Sequence, residues 1–97
     1  MKLGRVIGKV ISSRKEGNLD GLRMLVVSYL NEELKETGKT SVCIDTVNAG
    51  EGEIVITCSS SSARLTNTTR NAAADNAIVG IVDAVSAGNK YLYRKNN

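Results

Sequence analysis

Two segments of this chain, Leu22 to Leu30 and Ile78 to Val85, are apolar on both alternating faces. In the first, Leu22, Met24, Val26, Ser28 and Leu30 share one face, and Arg23, Leu25, Val27 and Tyr29 share the other. In the second, the faces are Ile78, Gly80, Val82, Ala84 and Val79, Ile81, Asp83, Val85. Successive side chains of a strand point to opposite sides of a sheet, and an antiparallel sheet commonly shows one of those sides to water. Strands that are apolar on both sides are usually covered by helices, and the sequence holds no convincing amphipathic helix to do it. The second face therefore needs another cover. A second copy of the chain is the favoured reading, which makes Val26 and Val82 candidate interface residues. A long loop folded over the outer face is the other.

The remaining segments agree with an all-β fold. Ninety-seven residues suffice for one domain, 1–97, and no more. Strand candidates are Lys2 to Ser12, Leu22 to Leu30, Ser41 to Val47, Glu53 to Cys58, Asn76 to Ser86 and a short Lys90 to Arg94. Short strands at a spacing of roughly ten residues predict a barrel or sandwich. Gly4 and Gly8 interrupt the first strand, where glycine marks a bulge or a close backbone approach. Asn31 to Thr40 is too poor in apolar residues for a helical face and reads as a protruding hairpin loop. Serine is a favoured helix N-cap, so Ser59 to Ser62 predicts one helical turn over Ala63, Arg64 and Leu65. With no Phe, Trp or Pro and only three Tyr, the core must be aliphatic. Each fully buried aliphatic side chain is worth roughly 1.5–3 kcal/mol, and so short a chain is expected to gain stability from partner subunits.

The residue inventory argues against catalysis. There is no histidine, and Cys43 and Cys58 form no CxxC pair, so neither a zinc set nor a thiol–imidazole pair can be assembled. No metal and no other cofactor is expected. Both cysteines lie in apolar runs, where a thiol behaves as a small hydrophobe. Glu51 and Glu53, in a glycine loop, read as solvated charges rather than an acid–base dyad. Gly50-x-Gly52 lacks the Lys-Ser/Thr of a phosphate loop, and the serine run has no base beside it. Asp45 and Asp83 each interrupt an apolar run and need donors or a partner charge; Arg64 is a candidate for either. A net charge of +3 is too mild to imply nucleic acid, and Arg94 and Lys95 read as a solvated end. Tyr91 and Tyr93 beside those cations carry the alternative function, a barrel module that stacks single-stranded bases. No apolar run approaches the ~20 residues of a membrane helix, and no signal peptide precedes the first strand. A reduced cytosolic protein is the expectation.

Asp45 to Val55, with sequence DTVNAGEGEIV, sets a glycine-hinged acidic loop between two β-branched runs. Ser61-Ser-Ala-Arg64 follows, and then Asp75 to Asp83, DNAIVGIVD. In this order, after an apolar glycine-bearing first strand, these pieces resemble the vertex proteins of bacterial microcompartments, the family of ethanolamine-utilisation and carboxysome pentamers. The resemblance runs from Met1 to about Val85. It implies a five-stranded barrel similar to an OB fold, assembled as a cyclic pentamer through heterologous contacts. It further implies a place at the corners of a polyhedral shell in the cytoplasm, with hexameric shell tiles and encapsulated enzymes as partners. On this resemblance, Ala49, Gly50, Glu51 and Gly52 lie nearest the fivefold axis, where five copies of Glu51 would make an acidic ring. Arg64 and Asp83 become candidates for contacts that hold the ring or its shell neighbours.

Overall fold

The computed structural model describes residues 1–11, 23–59 and 76–95. They form seven strands: β1 (Lys2–Lys9), β2 (Met24–Leu30), β3 (Glu36–Asp45), β4 (Ile54–Ser59), β5 (Asn76–Ile81), β6 (Ala84–Ala87) and β7 (Lys90–Arg94). There is no helix among the described residues. The expected serine-capped turn over Ala63, Arg64 and Leu65 lies outside them. Five strands close a barrel in the order β1-β2-β3-β5-β4, while β6 and β7 make a separate two-stranded sheet. Neighbours in the barrel run antiparallel except β3 and β5, which are parallel.

Period-two alternation decides what fills the barrel. Val6, Leu25, Val27, Tyr29, Cys43, Val55 and Ile78 point inward, joined by Ala49 from the loop after β3. The filling is aliphatic apart from Tyr29 and Cys43, as the composition requires. Gly4 is forced by the same packing. A methyl group there would overlap the Val27 side chain and come within 3.2 Å of the Ser28 carbonyl oxygen. Gly8 adjoins a register shift between β1 and β2, the local kink expected of a bulge.

Two strand boundaries differ from the pattern in the sequence. β3 begins at Glu36, not Ser41, because a polar arm continues the ladder: Thr40 pairs with Ser28 and Glu36 with Leu30. The loop thereby shrinks to a turn at residues 31–35. There the Asn31 side chain accepts the amides of Glu33 and Lys35 at 2.8 and 3.0 Å. The long last strand is also split. The Val82 amide still donates to the Ile54 carbonyl at 2.8 Å, but the chain then leaves the barrel and β6 pairs with β7.

That split covers part of the outer surface. Val55 faces inward, so Ile54 and Ile56 face out. Here Leu30, Ile54 and Val82 form a second apolar cluster with Leu3, Leu34, Ile56, Val85 and Tyr93. The β6–β7 hairpin thus lies over one end of the outer face, and at this end the cover is the chain itself. Farther along β2 the face is open. Val26 is only half-buried, and its register partner Val42 is 50% exposed.

Candidate assembly site: the glycine loop and the open barrel face

The glycine loop is fixed at both ends by carboxylates. At its start the Asp45 side chain is fully buried. One oxygen accepts the Val47 amide at 3.0 Å; the other accepts the Ala49 amide at 2.9 Å and Arg23 Nη1 at 3.1 Å. The same guanidinium nitrogen donates to Asn48 Oδ1 at 2.7 Å. Asn48 takes a left-handed backbone with φ of 61°, a conformation Asn tolerates better than most residues. The buried charge is thus met by three donors, as burial of a carboxylate demands. Arg64, the partner considered from the sequence, lies outside the described residues; the arginine on Asp45 is Arg23. Its position could have been found, since it immediately precedes β2 and shares the inward face of Leu25.

The end of the loop turns at Gly52, whose φ of 86° favours glycine. The Gly52 amide donates to the Val6 carbonyl at 2.8 Å, and Arg5 Nη1 donates to the Gly52 carbonyl at 3.3 Å. Glu53 closes the turn by accepting the Gly50 amide on Oε1 at 2.6 Å. Its Oε2 accepts the Lys95 ammonium. That hydrogen bond, helped by the Gly50 amide, holds the Glu53 carboxyl below its ordinary range, and in return raises Lys95. Glu53 and Lys95 are therefore not the free solvated charges that the sequence suggested. Glu51 is exposed at the tip, next to Gly52, whereas Ala49 is buried in the barrel core. The four proposed loop residues so divide into an anchor, Ala49, and an outward turn, Gly50 to Gly52.

The proposed interface residues separate in a similar way. Val26 lies on the open outer face. Val82 is 9% exposed, held in its own chain's second cluster. Asp83 is exposed, and its carbonyl accepts the Lys95 amide at 2.8 Å. The sequence reading missed Val42, because polar Ser41 and Thr40 beside it mask the apolar pair it makes with Val26.

Among the described residues, neither reactive chemistry nor base stacking finds support in the geometry. Burial pushes the Cys43 thiol and the Tyr29 phenol up from their ordinary values, away from the nucleophilic thiolate. Cys43 and Cys58 are both free. A shallow cleft of about 300 Å³, lined by Met1, Lys2, Leu3, Leu30, Asn31 and Glu32, holds no thiol, hydroxyl or imidazole. Tyr91 is 61% exposed with Arg94 5.0 Å from its ring centroid, but Tyr93 packs into the second cluster. The two rings do not form a pair of open platforms.

Residues 1–83 match the family model of the ethanolamine utilisation protein EutN/carboxysome. The chain is 48% identical to the bacterial microcompartment shell vertex protein GrpN of Rhodospirillum rubrum, over 92% of this chain and 100% of that protein. It is 40% identical to the carboxysome shell vertex protein CcmL of Thermosynechococcus vestitus, over 98% and 96%. Among solved structures, CcmL of Gloeobacter violaceus superposes with a TM-score of 0.92 at 35% identity, covering 98% of both chains. The pentameric microcompartment shell protein GrpN superposes with a TM-score of 0.79, over 92% of this chain and 100% of that one. A five-stranded barrel, a stapled glycine loop and likeness along nearly the whole length lead to one conclusion: the chain belongs to the EutN/carboxysome family of microcompartment shell vertex proteins.

Proposed function

We propose that the whole chain, 1–97, acts as one structural unit of a homopentamer that caps the corners of a polyhedral microcompartment shell in the cytoplasm. Its work is shape rather than catalysis. Flat hexagonal tiling does not close, and a fivefold ring supplies the curvature; hexameric shell proteins are the neighbours it would meet, with enclosed enzymes on the inner side. The observation that carries this reading is the near full-length likeness to vertex proteins, among them the pentameric shell protein GrpN. The open apolar pair of Val26 and Val42 supports it physically, because a ring offers that face a permanent cover. On this reading the turn of Gly50, Glu51 and Gly52 faces the fivefold axis, and Arg64 and Asp83 contribute to contacts within the ring or with the tiles.

Native mass spectrometry tests the proposal. The expected species is five times the 10.3 kDa of one chain, unchanged as salt rises. A stable single chain in dilute solution overturns it. The nucleic-acid alternative predicts instead an oligonucleotide complex that dissociates steeply with salt.

A further inference from the structure

The β6–β7 hairpin lies beyond residue 83, where the match to the family model ends. It nevertheless reaches back to the glycine loop. Lys95 follows β7 and makes two bonds: its amide donates to the Asp83 carbonyl at 2.8 Å, and its ammonium binds Glu53 Oε2. With one oxygen on Lys95, Glu53 presents the other to the Gly50 amide. The Glu53 amide in turn donates to the Gly50 carbonyl at 3.2 Å. The loop is thus drawn around Glu53, and Glu53 is held by the hairpin.

We propose that Lys95 is a positioning residue for the glycine loop: the C-terminal hairpin clamps the Gly50–Gly52 turn by holding the Glu53 carboxylate on the Gly50 amide. The hairpin itself is seated on the barrel by Val85 and Tyr93 in the second cluster, so the clamp ties loop shape to hairpin docking. Where the loop faces a fivefold axis, a consequence that rests on the vertex reading, five hairpins would together set the shape of the central opening. The charged and titratable groups around the clamp are Arg5 on β1, bound to the Gly52 carbonyl, Glu51 in the loop, and Asp83 and Tyr93 near Lys95. Arg5 does not replace Lys95, because it is spent on a backbone carbonyl rather than on Glu53.

Hydrogen–deuterium exchange of residues 49–53 in the assembled full chain tests the clamp with Lys95→Gln and Lys95→Arg. Loss of a partly exposed ion pair should speed exchange about two- to fivefold in Lys95→Gln, and Lys95→Arg should restore the slow rate. Carbon NMR titration of the Glu53 carboxyl adds a readout that a purely structural lysine would not move: the titration shifts upward in Lys95→Gln and stays low in Lys95→Arg. Unchanged exchange and titration in Lys95→Gln overturn the clamp, as does failure of Lys95→Arg to restore them. Native mass on the same samples separates the two proposals. A five-chain mass with unchanged loop behaviour refutes the clamp alone, whereas a one-chain mass with the loop effects present supports the clamp and refutes the vertex reading.

Discussion

Asp45 is the residue on which the local order of the loop depends. Three donors converge on a carboxylate with no exposed surface. Asp45→Ala removes the acceptor and leaves the Val47 and Ala49 amides unpaired, one of them inside the barrel core. Unsatisfied buried donors cost about 1–3 kcal/mol, and the unfolding free energy obtained from urea denaturation should fall by that amount. Arg23→Gln should cost less, about 1 kcal/mol or under, because Arg23 is 46% exposed and the two amides remain. The second carboxylate gives a pH signature. Lys95 first, and then the Gly50 amide, lower the Glu53 pKa from its ordinary 4.5. The stability this brings is present above 4.5 and disappears as pH falls through the lower folded value. Lys95 is raised from 10.5, so its share persists below 10.5 and is lost as pH climbs past the raised value. Stability measured across acidic pH should decline less steeply in Glu53→Gln than in the wild type.

At the scale of elements, the hairpin is where sequence and structure part. The barrel strands were legible because β-branched residues alternate within them, and Gly4 and Gly8 announced the crowding and the bulge in β1. The break after Ile81 was not. Val82 and Val85 extend the apolar pattern past the single interruption at Asp83, with neither Pro nor a turn dipeptide to end it, and the packing of Val82, Val85 and Tyr93 on Ile54 and Leu30 explains why the chain departs there. The polar start of β3 was hidden for the opposite reason, since Glu36 to Thr40 are exposed on both sides and join β2 through the backbone ladder and the Thr37 hydroxyl, which donates to the Tyr29 carbonyl at 3.1 Å. Of the site, the loop was legible and its fastenings were not, because Arg23 and Lys95 are distant in sequence from the carboxylates they hold. Val82→Asp now has a defined outcome. A charge buried in the chain's own cluster should unfold the protein or lower its melting temperature sharply, as thermal denaturation would reveal, rather than release intact subunits.

For the whole molecule, the open face makes the contrasting prediction. Val42 is half exposed and Val26 lies opposite it, so Val42→Asp or Val26→Asp should leave the barrel folded while the five-chain species dissociates. Circular dichroism should stay that of the wild type as the native mass falls; a ring that survives both changes would move the interface elsewhere. On the role proposed for Arg64, Arg64→Ala should weaken the ring or its docking to shell tiles, and unaltered assembly in both respects would remove Arg64 from that role.

The parallel pairing of β3 with β5 has a temporal consequence. The strand that seals the cylinder, inserted between β3 and β4, is the last of its five to leave the ribosome. Until it arrives, the nascent chain carries two unsealed ladder edges, each a template for a neighbour's backbone. Long-range closure of this kind is slow. Crowded synthesis of many copies therefore sets productive closure against misjoining of half-made cylinders, and slowing translation or lowering temperature should raise the soluble yield.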